Sequence, residues 1–187
     1  RSEGGRRMSS WVGVATTLLQ KVFDHKDAYP FRERVDPHKW DVPDYFDKVK
    51  EPMDLGTILA VLNKGMYQHY TQVIHHLMLV FDNALTYNPP ANPVHTQAQK
   101  LQAAAARYTM QVLPKLQALQ ASGGEANASS SSASLLSAPP APLASPDGQP
   151  IAQIPKFSVE WADTVLANVR RKAGDVTGAG APATATG

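Results

Sequence analysis

The sequence feature that most constrains the fold is the abrupt end of an apolar helix at Tyr87-Asn88-Pro89-Pro90. Apolar residues precede it at helical spacing, namely Leu77, Val80, Phe81, Ala84 and Leu85. Pro89 has no backbone N–H with which to continue a helix, and it disfavours the helical conformation of Asn88. The pattern predicts an asparagine at a helix end, beside an aromatic ring and a stiff turn. A side-chain amide there donates and accepts hydrogen bonds, which suits recognition of another neutral amide rather than acid–base chemistry.

Composition excludes several classes of protein. The 187 residues carry a formal net charge of +2 with both signs interspersed, which by itself indicates neither a nucleic-acid nor a membrane partner. The absence of cysteine removes disulfides, thiolate catalysis and zinc–thiolate sites. No apolar run approaches the ~20 residues that span a bilayer, and the N-terminus lacks the apolar segment of a secretory signal. We expect a soluble, intracellular protein and, because the sequence does not begin with methionine, a fragment of a longer chain.

Helical periodicity recurs in four segments, and no segment shows the alternation typical of a strand. The first predicted helix starts at Ser9 or Ser10 and carries apolar residues to Phe23. The other three run from about Asp54 to Asn63, from about Thr71 to Tyr87, and from near Pro93 to Leu113, where Pro114 kinks or ends the last one. The sequence therefore predicts an all-α protein built as a four-helix bundle.

A long segment between the first two helices, Asp27 to Pro52, breaks the periodicity. It contains several prolines and many apolar and aromatic residues, whereas a linker of this length is normally polar. We therefore predict an ordered, functional loop that packs on the bundle.

The segments outside the bundle follow from their composition. We expect a flexible start at 1–8, a bundle at 9–120, a disordered Ser-, Ala- and Pro-rich linker at 121–156 and a disordered tail at 173–187. Between linker and tail, 157–172 has the pattern of a short amphipathic helix capped by Ser158. Two interpretations stay open for it: a motif that docks on a partner or on the bundle, or a marginal helix that is mostly unfolded alone.

Five motifs, in this order, resemble those of the bromodomain family, the acetyl-lysine reading module. The resemblance covers roughly Trp11 to Leu119. The motifs are Tyr29-Pro30-Phe31 followed by Val35-Asp36, then Val42-Pro43-Asp44-Tyr45-Phe46, then Lys50-Glu51-Pro52-Met53-Asp54-Leu55, then Asn83-Ala84 with Tyr87-Asn88, and Val94 at the gatekeeper position. The resemblance implies a left-handed four-helix bundle with a long ordered loop between helices 1 and 2.

The resemblance also implies a binding pocket for acetyl-lysine. Asn88 is expected to donate its side-chain N–H to the acetyl carbonyl, and Tyr45 to hold that carbonyl through a water. The remaining members of the implied set are the apolar walls Phe31, Val35, Val42 and Val94, the channel residues Tyr29 and Trp40, and Pro30 and Tyr87. Apolar walls accept the acetyl methyl group and penalise a bare ammonium. The implied activity is binding, with no catalysis and no cofactor.

Four positions depart from the family pattern. Tyr29 stands where tryptophan is usual, Arg34 where proline is frequent, Phe46 where a second tyrosine is common, and His76 where the third helix usually has aspartate. These departures bear on ligand preference and loop rigidity, and they leave Asn88 and Tyr45 unchanged. The sequence does not identify what takes over the contacts of the aspartate replaced by His76.

The implied partners are acetylated lysine peptides, above all histone tails, read in the nucleus by a monomeric domain of a transcription or chromatin regulator. The alternative is a helical interaction scaffold whose pocket is unused and whose partner binds at 157–172. No nucleophile or paired acid and base indicates an enzyme. We expect no metal site, because His75 and His76 point apart and His69 lies about 10 Å from His76 along a helix. Arg170-Arg171-Lys172 is too short for a nucleic-acid patch.

Overall fold

The computed structural model describes residues 10–123, 143 and 151–174. Its helices are α1 (Ser10–Phe23), α2 (Tyr45–Lys48), α3 (Leu55–Asn63), α4 (Tyr70–Tyr87), α5 (Pro93–Gly123) and α6 (Val159–Gly174), with a 3-10 helix at Lys26–Phe31. The described residues form no strand. The predicted all-α class is confirmed, and the four helices of the predicted bundle correspond to α1, α3, α4 and α5. The predictions for 1–8, for 124–142 and 144–150 of the linker, and for the tail from 175 onwards lie outside the described residues.

Capping side chains fix the starts of α3 and α4. Asp54 accepts the backbone N–H of Thr57 over 2.7 Å at the first turn of α3. At α4, the Oε1 atom of Gln72 accepts the N–H of His69 over 3.0 Å, which closes a capping box. Gly56, the second residue of α3, donates its N–H to the carbonyl of Arg32. A Cβ at this position would stand 2.7 Å from that oxygen, so the close approach requires glycine. The start of the long loop is thereby joined to the start of α3.

Helix α4 lies at the centre of the bundle and packs against α1, α3, α5 and α6. Its buried side chains extend around most of its circumference, which is expected of a central helix. The core gathers apolar residues from all five of these helices, among them Leu19, Ile58, Leu77, Phe81, Leu101 and Val169. A helix buried on all sides is stabilised chiefly by this packing rather than by its own propensity.

Helix α5 continues through Pro114 to Gly123. Of the two outcomes predicted at this proline, an end at Leu113 is therefore wrong. Leu113 and Leu116 flank the proline, are almost wholly buried and belong to the core. Their burial outweighs the loss of one helical hydrogen bond at Pro114.

The segment that follows the undescribed residues lies against the bundle. We call residues 151–157 the C-terminal strap, because they run without regular secondary structure to α6 and bond to the bundle. Ala152 donates its N–H to the carbonyl of Pro52 over 2.9 Å, and the side chain of Gln72 donates to the carbonyl of Pro155 over 2.7 Å. The structure thus differs from the linker predicted for 121–156, since residues 121–123 belong to α5 and 151–156 are held by hydrogen bonds. Composition concealed this order because the bonds use backbone groups of the strap.

Helix α6 covers one face formed by α4 and α5. Its start is capped by Ser158, whose Oγ atom accepts the N–H of Trp161 over 3.2 Å. Its buried residues are Ala162, Val165, Leu166 and Val169. At its far end, the Nζ atom of Lys172 pairs with Asp82 on α4. Of the two interpretations left open for 157–172, the structure has the helix docked on the bundle itself, two residues later than predicted.

His76 belongs to the same contact between α4 and the strap. It is fully buried, with Nε2 3.1 Å from the carbonyl of Gln153 and Nδ1 2.7 Å from the hydroxyl of Tyr67. The carbonyl only accepts, so Nε2 carries the proton and Nδ1 accepts from Tyr67. Burial lowers the pKa of His76 to about 4, which keeps the ring neutral. These two bonds are what His76 makes at the position where the family usually has aspartate.

We predict that the protein loses stability on mild acidification. In the unfolded chain His76 takes up a proton near its ordinary pKa of about 6.5, whereas in the folded protein its pKa is about 4. Protonation therefore favours the unfolded chain, and the stability that neutral His76 contributes above about pH 6.5 is lost as the pH falls towards 4. The loss is about 2 kcal/mol between about pH 7.5 and about pH 5. Burial also lowers the pKa of His69 and of His75, so these two residues likewise reduce the stability of the folded protein as the pH falls. Burial raises the pKa of Asp54, which opposes them at lower pH.

Denaturant titrations at these two pH values measure the effect. The variant His76→Gln keeps a donor and an acceptor and is expected to lose clearly less stability on acidification than the wild type. His38→Gln, on the exposed part of the long loop, is the matched control and is expected to behave as the wild type. An equal pH dependence in all three proteins would contradict the role assigned to His76.

Candidate functional site

The side chain of Asn88 is held at the end of α4. Asn88 leaves the helix with φ −90° and ψ 130°, and its backbone N–H donates to the carbonyl of Ala84 over 3.0 Å. Its side-chain Nδ2 donates to the same carbonyl over 2.9 Å. The second N–H and the Oδ1 atom of this half-buried amide have no hydrogen-bond partner among the described residues. The amide is therefore fixed in orientation and retains one donor and one acceptor for a ligand.

The turn from α4 to α5 is rigid around Asn88. The Nδ1 atom of His95 lies 2.8 Å from the Asn88 carbonyl and donates to it, since a carbonyl only accepts. Asn92 caps α5 by accepting the N–H of Val94 over 2.9 Å, and Pro93 occupies the first helical position. Sequence reasoning missed His95 and Asn92. The pair Asn92-Pro93 carried the signal for the cap, because Asn before a helix and Pro at its first position are both favoured.

Tyr45 and Tyr87 form an aromatic contact next to Asn88, with ring centroids 5.1 Å apart. Tyr45 is only 6% exposed, and its hydroxyl makes no hydrogen bond to any residue that the structure describes. Burial raises the pKa of Tyr45 to about 12, so the hydroxyl is neutral and able to donate at pH 7. The buried ring thus presents an unpaired hydroxyl beside the end of α4.

Asp44 joins the long loop to α4. Its Oδ1 atom accepts the Tyr87 hydroxyl over 2.6 Å, which raises the pKa of Tyr87 to about 12. Its Oδ2 atom pairs with Lys48 over 2.7 Å, and the pKa of Asp44 is lowered first by Lys48 and then by Tyr87. Sequence reasoning missed this contact.

Trp40 lies on a hydrogen-bonded turn of the long loop. The Oδ1 atom of Asp36 accepts the N–H groups of His38 and Lys39, which lower the pKa of Asp36. The N–H of Trp40 donates to the carbonyl of Asp36 over 3.1 Å. The turn closes through Asp41, whose φ of 54° is a left-handed conformation that Asp tolerates better than most residues. The loop is therefore structured where it presents Trp40.

The remaining predicted site residues fall into three groups. Tyr29, Pro30 and Trp40 line a cleft of about 290 Å³, in which Tyr29 is 66% and Trp40 47% exposed. Val35 lines a wider cleft of about 830 Å³ beside α3, and neither cleft includes Asn88. Val42 and Val94 are half-buried.

Phe31 lies outside these three groups and belongs to the core. It is 5% exposed, and its ring meets that of Phe81 edge-on at 5.6 Å. The structure therefore brings Tyr45 against Tyr87, the residue before Asn88, and separately groups Tyr29, Pro30 and Trp40. Phe31 offers little more than a ring edge to any ligand.

The described residues contain neither a cluster of metal ligands nor a helix that could span a membrane. No three of their His, Asp or Glu side chains are grouped so that they hold a metal ion. None of the described helices combines the length and the apolar character that a membrane span requires.

Comparison with known proteins decides the family. The family model described as Bromodomain matches residues 16–100. Residues 16–100 belong to the bromodomain family. Solved bromodomain structures are similar to this chain as well. The bromodomain of human BAZ1A matches it with a TM-score of 0.51 and 28% identity, and the match covers 54% of this chain and 92% of the BAZ1A chain. The second bromodomain of Candida albicans Bdf1, bound to an imidazopyridine, also has a TM-score of 0.51, with 26% identity over 53% of this chain and 96% of its own.

Curated relatives are similar over about half of this chain. Transcription factor GTE10 of Arabidopsis thaliana is 47% identical over 92 residues, which is 49% of this chain and 9% of that protein. The SWR1 complex bromodomain subunit bdf1 of Schizosaccharomyces pombe is 40% identical over 100 residues, which is 52% of this chain and 17% of that protein. The chain thus spans less than a fifth of the length of either relative. Bromodomains are reader modules rather than enzymes, and the relatives are transcription and chromatin factors.

We predict that Tyr87→Phe weakens acetyl-lysine binding by the bromodomain without unfolding it. The substitution removes the hydroxyl that joins α4 to Asp44, so the loop carrying Tyr45 is held less firmly. We expect a roughly twofold to tenfold rise in Kd, in line with the loss of one hydrogen bond at a partly exposed carboxylate.

Calorimetry with an acetylated peptide measures the change, and thermal unfolding checks the fold. Tyr108→Phe is the matched control, since the Tyr108 hydroxyl on α5 makes no hydrogen bond within the described part of the chain. Equal affinities for the two variants would contradict a role for the Tyr87–Asp44 contact.

Proposed function

We propose that this chain binds acetylated lysine and reads it in the tails of histones or of other nuclear proteins. The observation that carries the proposal is the fixed, half-buried amide of Asn88, with one N–H bonded to Ala84 and the other available. An acetyl carbonyl is a neutral acceptor and matches that remaining donor. The unpaired hydroxyl of Tyr45 adds a second polar group, which holds the carbonyl through a water.

The proposed site selects against a bare lysine ammonium. An ammonium there meets the amide of Asn88 and half-buried valines, while Asp44 already pairs with Tyr87 and Lys48. Desolvating an unpaired charge is costly, whereas the acetyl group buries its methyl at little cost. Because a single side chain is enclosed and the peptide must be immobilised, we expect a Kd between roughly 1 µM and 1 mM.

The proposed setting is the nucleus, with the bromodomain tethering a transcription or chromatin regulator to acetylated histones. The support is that the similar proteins include a transcription factor and a subunit of the SWR1 complex. The proposed oligomeric state is a monomer, because one bundle holds the complete residue set.

The alternative, a scaffold that binds a partner through 157–172, has less support. Its apolar face, formed by Ala162, Val165, Leu166 and Val169, is buried against the bundle. A partner helix would first have to displace this contact. The acetyl-lysine proposal needs no such rearrangement.

We predict that Asn88→Ala reduces acetyl-peptide binding severely and leaves the fold intact. Removing the donor leaves the acetyl carbonyl desolvated without a partner, which costs ~1–3 kcal/mol, or roughly 5-fold to 150-fold in Kd. Asn63→Ala, at the exposed end of α3, is the matched control and is expected to bind as the wild type. Unchanged affinity in a folded Asn88→Ala variant would exclude the proposed pocket.

A second test uses one histone-tail peptide, acetylated and unmodified, titrated at low and at high salt. We expect strong discrimination in favour of the acetylated peptide, because the recognition uses a neutral amide. We also expect only a mild salt effect, because the charges around the loop are of mixed sign. Equal binding of the unmodified peptide, or binding that disappears at high salt, would show an electrostatic interaction and refute the reader function.

A further inference from the structure

The C-terminal strap is anchored on a polar stripe of α4. Gln72 and His76 lie on this stripe and bond to the carbonyls of Pro155 and Gln153, as described above. His69, one turn before Gln72, stacks on the ring of Phe157 with centroids 4.3 Å apart. These three residues lie three and four positions apart, so they share one face of the helix. The strap follows 50 residues after the last residue that the family model matches, residue 100.

The other end of the strap reaches the exit of the long loop. Ala152 is 2% exposed, and its N–H donates to the carbonyl of Pro52. Ile151 lines a small cavity, of about 10 Å³, together with Val35, Tyr45 and Met53. Val35 and Tyr45 are members of the proposed acetyl-lysine site. The strap thus lies next to two members of the proposed site, and no strap residue lines the clefts of about 290 Å³ and 830 Å³ described above.

The loop exit is held from two sides. Asn83 on α4 donates its side-chain N–H to the carbonyl of Glu51 over 2.8 Å, and Ala152 holds the next carbonyl, that of Pro52. Only a short, partly helical segment separates these carbonyls from Tyr45, and within it the N–H of Val49 donates to the carbonyl of Tyr45 over 2.8 Å. Val49 is 2% exposed, so this segment is itself packed. A shift of the exit is therefore transmitted to Tyr45.

Helix α6 fixes the strap at its far end. The buried side chains of α6 and the pair between Lys172 and Asp82 prevent the strap from moving away as a whole. Near its start, the Oε1 atom of Gln153 accepts the N–H of Leu143 over 2.9 Å. The strap is consequently held at Gln153 by Leu143, along its length by α4, and at its end by the docked helix α6.

We infer that the C-terminal strap is a clamp that positions the long loop for acetyl-lysine binding, with Ile151 and Ala152 as its positioning residues. This inference rests on the proposed function. Neither residue contacts the ligand: Ala152 holds the backbone of the loop exit, and Ile151 lines the small cavity next to Val35 and Tyr45. The ligand then meets a loop that is already ordered, so less of the binding free energy is spent on ordering it.

The test uses the 187-residue chain with single substitutions in the strap. Ile151→Ser removes the apolar support, and Ala152→Pro removes the N–H that holds Pro52. Ile151→Val is the conservative variant and is expected to retain wild-type behaviour. Leu19→Ala is the matched control, because it weakens the packing of α1 in the core, and α1 makes none of the strap contacts described above.

Three quantities are measured for each variant: backbone hydrogen exchange without ligand, the Kd for an acetylated peptide, and the free energy of unfolding. We expect Ile151→Ser and Ala152→Pro to accelerate exchange at residues 32–54 and to raise Kd about fivefold or more. We expect Leu19→Ala to reduce the free energy of unfolding, yet to leave Kd within about twofold of the wild type.

The outcomes separate the clamp from the reader function. If the wild type binds no acetylated peptide, the reader function fails, and exchange at the loop still decides whether the strap orders it. If Ile151→Ser leaves exchange at residues 32–54 unchanged, the clamp is refuted. It is refuted as well if Leu19→Ala raises Kd as much as Ile151→Ser does, because the effect then follows stability alone.

Discussion

The proline-enforced end of α4 is the constraint on which the rest of the site depends. Pro89 prevents another helical turn, so Asn88 adopts an extended conformation and its side chain bonds to Ala84, on the last turn of the helix. The same stop leaves Tyr87 at the helix end, where it reaches Asp44 of the long loop. A continuous helix would place Asn88 within a regular turn and remove the short connection to α5.

Helix α4 also explains why the chain needs its C-terminal segment. Gln72 and His76 are buried polar residues of α4, and buried polar groups are costly without partners. The strap provides two of those partners through its backbone carbonyls. We therefore propose that the folded unit extends from α1 through α6 and includes the strap. One helix thus carries the candidate site at its end and the anchor of the strap on its side.

The sequence predicted most of the bundle and less of what surrounds it. Apolar periodicity, caps and prolines located four helices within a few residues, except for the continuation of α5 past Pro114, which depends on tertiary packing. The strap was not predicted because its bonds use backbone carbonyls, and these leave no trace in a Ser-, Ala- and Pro-rich composition. Buried His76 was the available signal. The contact between Asp44 and Tyr87 was missed because the alternating charges of the loop look alike whether or not a distant tyrosine donates to one of them.

The most direct test of the account is the NMR signal of the side-chain amide of Asn88 during titration with an acetylated peptide. The account predicts that the Nδ2 resonances shift in step with binding, because one N–H gains the acetyl carbonyl while the other stays bonded to Ala84. The unmodified peptide at the same concentration is predicted to leave them in place. Binding of the acetylated peptide without a change at Asn88, or equal shifts with both peptides, would contradict the account.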